Sequence, residues 1–470
     1  MTPLRTSSSA RRARPRSRGF TLIELLVSLV AGLIVALAVV SLSKSVANQF
    51  YDEVRANAAE TSIRLAGQRL RADISRAGLM TTGNIVADPR ASRTPAGNAA
   101  KGNANLQQLS GIRIVTGGSL VPPTGLGLTG GAPVPGDLTT LSGVQNPPLN
   151  PDSFAIYGNL TSGDEYFGSV DPSAPGGCGG KAVRLNLDDP SLLRILRDPA
   201  GVFLPAAQAQ AALTQVFVPI AGSTFYARVT DTKGYYHYAT TCAANPVTWD
   251  GVTAYVYLQN ANATLTSMET GSQFGGVDGF ETISVSPIQG AYWFVGRVLT
   301  GGIHSAAARA LYENNANAAL SAAKFDLYRA WIDASGTILN DSAEVVAEYA
   351  VDLKLGFTVD DPTQLDTSVT KMKVLGFGSA IADRNEYANR DLTVAAAAAV
   401  RGTIGPHRIR SVRYRLATRT AMADRDTALP PPPGSDFLYR YRVHPANPLF
   451  ARARVTQGEV ALVNQARMGY

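Results

Sequence analysis

The chain has 470 residues, of which 45% are hydrophobic and 17% charged, and its formal net charge is +7. Six arginines lie within the first 19 residues, which contain no acidic residue. Without these six the rest of the chain carries about +1, so no nucleic-acid partner is expected. The six are Arg5, Arg11, Arg12, Arg14, Arg16 and Arg18.

An apolar segment follows this basic leader. Residues 20–42 contain no Lys, Arg, Pro or Asp. As a helix they would be roughly 34 Å long, enough to cross a hydrocarbon core of about 30 Å. Glu24 is the single acid in the segment, and a carboxylate near a bilayer core costs roughly 2.5–3.5 kcal/mol. Glu24 is therefore a candidate functional residue that requires a cationic partner.

Three ordinary interpretations of this N-terminus are open. A secretory signal could be cleaved at the Ala-Leu-Ala of residues 36–38, but the apolar run continues beyond that point and Glu24 interrupts it. A plain membrane anchor would leave Glu24 unexplained. A twin-arginine signal would use Arg11 and Arg12, which lack the usual apolar neighbours.

The segment Gly19-Phe20-Thr21-Leu22-Ile23-Glu24-Leu25-Leu26-Val27 resembles the class III signal of type IV prepilins and type II secretion pseudopilins. The resemblance implies that a prepilin peptidase cleaves between Gly19 and Phe20 and methylates the new amine of Phe20. It also implies that Glu24 forms an assembly salt bridge with the Phe20 amine of a neighbouring subunit. The basic leader agrees with this topology, because positive residues remain on the cytoplasmic side.

Helical sequence continues after the apolar segment. Ile63, Ala66, Leu70, Ile74 and Ala77 recur at spacings of three and four residues, which predicts an amphipathic helix. The next residue, a glycine, is a plausible C-cap. We therefore expect one helix from about residue 21 to 77, whose first half (20–42) faces lipid and whose second half (43–79) packs on a globular body.

Residues 80–151 are rich in Gly and Pro and predict a loop or linker with a short strand at 112–115. A β-rich periplasmic globular domain is expected over 152–470. Within it an Ala-rich stretch at 303–323 predicts part of a helix. Strand signals occur at residues 153–157, 215–220, 252–258, 292–299, 325–332, 347–357 and 408–420.

Two of these strands show alternation that predicts which side chains face the core. In 347–357 the polar residues Glu348, Asp352 and Lys354 are expected to face solvent. In 408–420 Arg413 and Arg415 are expected to face outward. Most of the eleven arginines between residues 401 and 454 are likewise expected to be solvated. The alternative is that these arginines bind an acidic partner surface or DNA. A break in phase near Ser411 predicts either a bulge or a later start of the strand.

A helix followed by mostly antiparallel strands predicts an α+β fold, and this order matches the pilin fold. Four segments resemble parts of PilW-type minor pilins: the helix end, two core strands and the C-terminal segment, which commonly contains an Asn-Gln or Arg-Asn pair near its end. Most of 81–151 and 158–323 resembles nothing in that family. The four segments are 70–78, 344–357, 408–419 and 455–470.

The chain contains two cysteines, Cys178 and Cys242. Because the periplasm favours disulfides, we predict a bridge between them, with two buried free thiols as the alternative.

Motifs for catalysis or cofactor binding are weak. The G-x-G-x-x-G at residues 125–130 lacks the flanking strand and helix that phosphate binding requires. No zinc-ligand spacing is present among His237, His304, His407 and His444, which are expected at surfaces or strand ends. A calcium loop could use Asp360, Asp361 and Asp366, but the sequence favours a solvated turn. No cofactor, metal or enzymatic activity is expected.

The resemblance implies a minor pilin that primes assembly of a type IV pilus, with a place near the tip as one option. Its partners would be the prepilin peptidase, other major and minor pilins, the inner-membrane assembly platform and the lipid of the inner membrane. The precursor would cross the inner membrane once, with its globular domain in the periplasm, and the mature form would enter the pilus. The alternatives are a minor pseudopilin of a type II secretion system and a pilus tip adhesin.

Overall fold

The computed structural model describes residues 20–85, 88, 90–91, 109–116, 151–171, 178, 181–259, 265–266, 277–278, 282–296, 325–361, 371–388, 390, 404–421, 440–444 and 447–466. The chain divides into two compact units, Met1–Asn57 and Ala58–Tyr470.

The first unit contains the beginning of a 55-residue helix, α1 (Leu22–Arg76). Its large apolar side chains are exposed along the whole of 20–42. In the described part of the chain, α1 is the one helix long and apolar enough to cross a membrane. A signal sequence or a plain anchor can meet the same criteria of length and composition.

The second unit contains the remainder of α1 and all of the described strands. The predicted stripe is buried along one side of the helix, and each of its five side chains is at most 3% exposed. The helix ends at Arg76, and Gly78 follows with a φ of 79°, the left-handed conformation that favours glycine after a helix. The prediction of one long helix ending near residue 77 is confirmed.

Two antiparallel sheets share one apolar core with the stripe of α1. The first has the order β1-β2-β11-β12-β13, and only the second half of β11 belongs to it. The second has the order β15-β14-β16-β18-β17. The strands are β1 (Ile112–Val115), β2 (Ser153–Gly158), β11 (Ile283–Gly296), β12 (Asp326–Ile332), β13 (Glu344–Ala347), β14 (Ala350–Asp360), β15 (Met372–Leu375), β16 (Ile409–Arg419), β17 (Arg440–His444) and β18 (Asn447–Ala461).

The first half of β11 closes a six-stranded antiparallel barrel of order β11-β3-β4-β8-β6-β5. Closure follows from Ser284, which pairs with β3 on one side and with β5 on the other. The short strand β7 pairs with β8. The strands are β3 (Tyr166–Asp171), β4 (Lys181–Leu185), β5 (Tyr226–Thr230), β6 (Tyr236–Thr241), β7 (Val247–Trp249) and β8 (Ala254–Gln259).

The barrel has its own core, to which two helices contribute. These are α2 (Pro190–Leu196), whose N-cap is Asp189, and α3 (Ala206–Phe217). The remaining elements are a parallel pair of two-residue strands, β9 (Leu265–Thr266) and β10 (Val277–Asp278), with α4 (Ile381–Ala388), a 3-10 turn η1 (Pro406–Arg408) and α5 (Val463–Ala466).

The helix followed by antiparallel sheets confirms the α+β class. One strand prediction is wrong, because residues 215–217 end α3 and the next three residues form no strand. Ala209, Leu213 and Phe217 bury one side of that helix at a spacing of four residues, and this period competes with the strand pattern. The predicted helix at 303–323 lies outside the described residues.

The predicted strand 347–357 is two strands. Tyr349 has a φ of 55°, so β13 ends before it and β14 begins after it. Asp352 is buried instead of facing solvent, and burial raises the pKa of its carboxyl group. Its Oδ2 lies 3.3 Å from Nη2 of Arg415, which is also buried, so the outward assignment of Arg415 is wrong.

The predicted bulge in β16 is confirmed. The register changes from Thr358 opposite Ser411 to Val359 opposite Ile409, which leaves one extra residue on β16. Besides Arg415, two further arginines of this region are buried, Arg408 and Arg419, whereas Arg413 and Arg454 are exposed as expected. His407 is buried next to the start of β16, so it lies at a strand end, one of the two places expected for it.

Candidate functional site

The candidate site is the head of α1, residues 20–24. Glu24 Oε2 lies 3.0 Å from the backbone nitrogen of Thr21 and 3.0 Å from its hydroxyl oxygen, and both groups donate to the carboxylate. In return the backbone N–H of Glu24 donates to the Thr21 hydroxyl at 3.3 Å. This reciprocal arrangement is a capping box, in which a Thr before the helix and a Glu three residues later satisfy each other's N–H groups.

Thr21 is a site residue that the sequence analysis did not single out. The signal was present as the T-x-x-E spacing at the start of an apolar helical run. The capping box gives Glu24 hydrogen-bond partners within its own chain. It supplies no cation, so the negative charge remains available to a positively charged group.

Phe20 precedes the helix and is 81% exposed. Its side chain and the whole first turn of α1 are therefore accessible to another molecule. Gly19 lies outside the described residues, so cleavage between Gly19 and Phe20 and methylation of Phe20 stay predictions.

A buried ion pair fixes the second half of α1 in the second unit. Asp73 Oδ2 accepts a hydrogen bond from Arg329 Nε at 2.6 Å and another from Trp293 Nε1 at 3.2 Å. Both charged side chains are less than 10% exposed. Because a buried charge is costly unless it is paired, this contact locks the helix to strands β11 and β12 in one register.

The C-terminal segment of the chain contacts the last turn of α1. Asn464 Nδ2 donates to the carbonyl oxygen of Ser75 at 3.1 Å, and Gln465 Nε2 donates to the carbonyl oxygen of Pro406. The structure therefore places the Asn-Gln pair of α5 beside the last turn of α1. There it satisfies a carbonyl group that the helix itself leaves unpaired.

The ring of Tyr414 packs against the backbone of α1 in the middle of the helix's second half. The Tyr414 hydroxyl donates to the carbonyl oxygen of Gly67 at 3.3 Å. A Cβ at Gly458 would lie 2.6 Å from Cζ of Tyr414, so only glycine lets the ring reach the helix.

The structure contains the Cys178–Cys242 disulfide. Cys242 follows β6 and is buried, so the bridge ties the segment between β3 and β4 to the barrel.

No group of three His, Cys, Asp or Glu that could hold a metal occurs among the residues that the structure describes. Asp360, a candidate for the calcium loop, instead contacts Arg408 at 3.2 Å and Arg410 at 3.3 Å. Asp366, His304 and the glycine-rich motif at 125–130 lie outside the described residues.

Comparison with known protein families finds one match, to the prokaryotic N-terminal methylation motif, over residues 14–40. No curated protein and no solved structure matches the chain. The match covers the end of the leader, the peptidase signal and most of the apolar segment, and it supports a subunit of the type IV pilin or pseudopilin kind. Such a motif suggests a structural subunit, not an enzyme, and implies processing by prepilin peptidase and assembly with other pilins. It is consistent with membrane anchoring followed by incorporation into a pilus.

Proposed function

We propose that the chain is a minor pilin of a type IV pilus, of the PilW type, that primes assembly. Prepilin peptidase would cut the precursor after Gly19 and methylate Phe20. The apolar half of α1 would then leave the inner membrane and enter a bundle of pilin helices, while the globular region stays on the periplasmic side until export.

One observation carries the proposal: an acid is placed at the exposed head of a helix whose next turns, up to residue 42, carry no other charged side chain. Within a helix bundle that excludes water, the negative charge of Glu24 would need a cation. The amine that cleavage creates on Phe20 of a neighbouring copy would supply it. The capping box supports this role because it fixes the rotamer of Glu24 without neutralising its charge.

The first test is the mature N-terminus, determined by mass spectrometry of the protein recovered from membranes. We expect a chain beginning at Phe20 with an N-methyl group. A terminus after residue 38, or an intact leader in a strain with active peptidase, would contradict the proposal.

The second test separates the charge of Glu24 from its capping hydrogen bonds. In Glu24→Gln the amide oxygen can still accept from Thr21, but the charge is gone. We expect Glu24→Gln and Glu24→Ala to be processed normally and to lose most of their incorporation into pili, as counted by immunogold labelling. Normal incorporation of Glu24→Gln would show that capping alone matters. Glu53→Ala, which removes an exposed acid from the same helix, is the matched control.

A minor pseudopilin of type II secretion would share all of these features. Deleting the gene discriminates between the two machines: loss of pili with normal export of secreted enzymes supports the pilus role. The reverse result would support the secretion role.

A pilus tip adhesin is a second candidate, and the barrel is the observation that favours it. The described residues between 166 and 285 form a barrel with its own core in addition to the helix and the two sheets. Truncating this region would also cut β11, which the first sheet requires. A better test uses Fab fragments that bind the barrel: loss of surface attachment with an unchanged number of pili would support adhesion.

A further inference from the structure

A cleft of about 880 Å³ opens in the second unit beside the last turns of α1. Its other walls come from α2, α3 and the end of β12. Sites for small organic ligands commonly have volumes of about 300–1,000 Å³, so this cleft is large enough for one. It lies far along the chain from the capping box and has no part in the assembly role proposed above.

The charged side chains that line the cleft are mostly arginines. Five guanidinium groups and two carboxylates contribute, so the lining carries a net charge of +3. The arginines are Arg69, Arg76, Arg194, Arg197 and Arg329, and the acids are Asp73 and Asp198.

Three of the five arginines have carboxylate partners. Arg69 lies 3.0 Å from Glu344, Arg194 lies 2.7 Å from Asp164, and the buried pair of Arg329 with Asp73 is described above. These pairs stabilise the walls of the cleft and leave little uncompensated positive charge on the three arginines to attract a ligand.

Arg76 and Arg197 differ from those three. The Nη1 of Arg76 donates to the carbonyl oxygen of Leu160 at 2.7 Å, and the guanidinium of Arg197 lies 4.5 Å from the ring centre of Phe203. Neither has a carboxylate within ion-pairing distance in the described part of the chain. Both side chains are thus held in place while their charges stay uncompensated, which reduces the entropy cost of binding an anion.

Between the charges the lining is apolar. Trp331 contributes an indole that is half-buried, and Arg329 covers it at 4.1 Å from the ring centre. Ile195, Leu204 and Val216 add aliphatic surface. A ligand that fits this lining carries an apolar body as well as negative groups.

We propose that this cleft binds a small organic acid with two carboxylates and an apolar body. Arg76 and Arg197 would each bind one carboxylate, because guanidinium groups match the planar geometry of carboxylates. The apolar body would lie against Trp331 and the aliphatic side chains. Inorganic anions would bind weakly, because they cannot use that surface.

Isothermal titration of the full-length protein in non-ionic detergent tests the proposal with four probes. Phenylsuccinate has two carboxylates and an aromatic body, its diamide lacks the charges, succinate lacks the aromatic body, and inorganic phosphate lacks any apolar body. We expect saturable binding of phenylsuccinate and at least about tenfold weaker binding of the other three, in keeping with the usual strength of charge-assisted bonds and apolar burial.

Variants locate the binding site. Arg76→Gln and Arg197→Gln should each weaken phenylsuccinate binding about tenfold and together abolish it. Both side chains are exposed, so the folded protein should keep its thermal midpoint. Arg413→Gln, which removes an exposed arginine paired with Glu459, is the control and should bind normally. The proposal fails if phenylsuccinate does not bind, if phosphate or succinate binds as tightly, or if the two cleft variants bind like the control.

Discussion

Glu24 Oε2 accepts hydrogen bonds from both the backbone N–H and the hydroxyl of Thr21. The carboxylate therefore already has an ordered geometry in the single chain. The sequence also predicts a cationic partner for Glu24, and the hydrogen bonds to Thr21 do not meet that requirement. Hydrogen bonds reduce the cost of taking a carboxylate out of water, but they leave its charge uncancelled. Thr21 thus prepares Glu24 for a partner and does not replace one.

Removing the Thr21 hydroxyl should loosen the first turn of α1. Thr21→Val keeps the shape of the side chain but removes the acceptor for the Glu24 N–H and one donor to its carboxylate. Loss of such a cap commonly costs about 1 kcal/mol. We expect about fivefold faster exchange of the amide hydrogens of Glu24 and Leu25, which are hydrogen-bonded to Thr21, in protein held in nanodiscs, because local opening becomes easier by that energy.

Thr21→Ser is the matched control, because its hydroxyl can make the same bonds. Unchanged exchange in Thr21→Val would mean that the capping box does not stabilise the helix start. Cleavage should be normal in both variants, since neither alters Gly19 or Phe20.

The ion pair of Asp73 with Arg329 should be essential for the stability of the second unit. Asp73→Ala would leave the buried Arg329 with its contact to the Trp331 ring and a longer ion pair with Glu344, at 3.4 Å. Breaking a buried pair in this way costs about 3–5 kcal/mol, and Glu344 should hold the loss near the lower value. A clear drop in the thermal midpoint of the full-length protein is the expected result.

The surface pair on the same helix provides the comparison. Arg64→Ala removes an ion pair with Glu60 in which Arg64 is largely exposed, and such pairs contribute about 0.5 kcal/mol or less. Equal effects of Asp73→Ala and Arg64→Ala would contradict the assigned role of the buried pair.

What could be predicted from the sequence depended on short-range patterns. The end of α1 was predictable because an apolar stripe at helical spacing stops one residue before a glycine. The bulge near Ser411 was predictable because the alternation of polar and apolar residues changes phase there. The closed barrel was not predictable, since closure depends on Ser284 pairing with two strands more than fifty residues away in sequence. The predicted exposure of Asp352 and Arg415 was wrong for the same reason. Alternation along each strand assigns both side chains to solvent, and each tolerates burial because the other lies beside it in the folded protein.

Reduction of the disulfide should destabilise the barrel. The two cysteines are 64 residues apart in sequence, and closing a loop of this size contributes about 3–4 kcal/mol through the entropy of the unfolded chain. The double variant Cys178→Ser with Cys242→Ser should lower the thermal midpoint and increase proteolysis within 166–285.

Reducing agent provides the control for this comparison. It should shift the midpoint of the wild-type protein toward that of the double variant and leave the variant unchanged. Mass spectra of alkylated protein, taken without reduction, should show no free thiol in the wild type. Alkylation of both cysteines in the exported wild-type protein would contradict the bridge.

His237 should make the barrel sensitive to mild acid. It lies on β6 opposite Val229, and burial alone lowers the pKa of its imidazole to about 4. An unfolded chain binds the proton near pH 6.5, whereas the folded barrel does not. The contribution of neutral His237 is therefore fully present above pH 6.5 and is lost progressively as the pH falls from 6.5 to 4, by up to about 3 kcal/mol.

Thermal midpoints measured between pH 7.5 and 4.5 test this dependence. Carboxylates elsewhere also titrate at the acid end, so the informative quantity is the difference between wild type and His237→Gln. Glutamine cannot take up a proton, and the variant should lose less stability than the wild type over this interval. The two curves would run parallel if the folded barrel accommodated the imidazolium, and parallel curves would show that folding does not lower the pKa of His237.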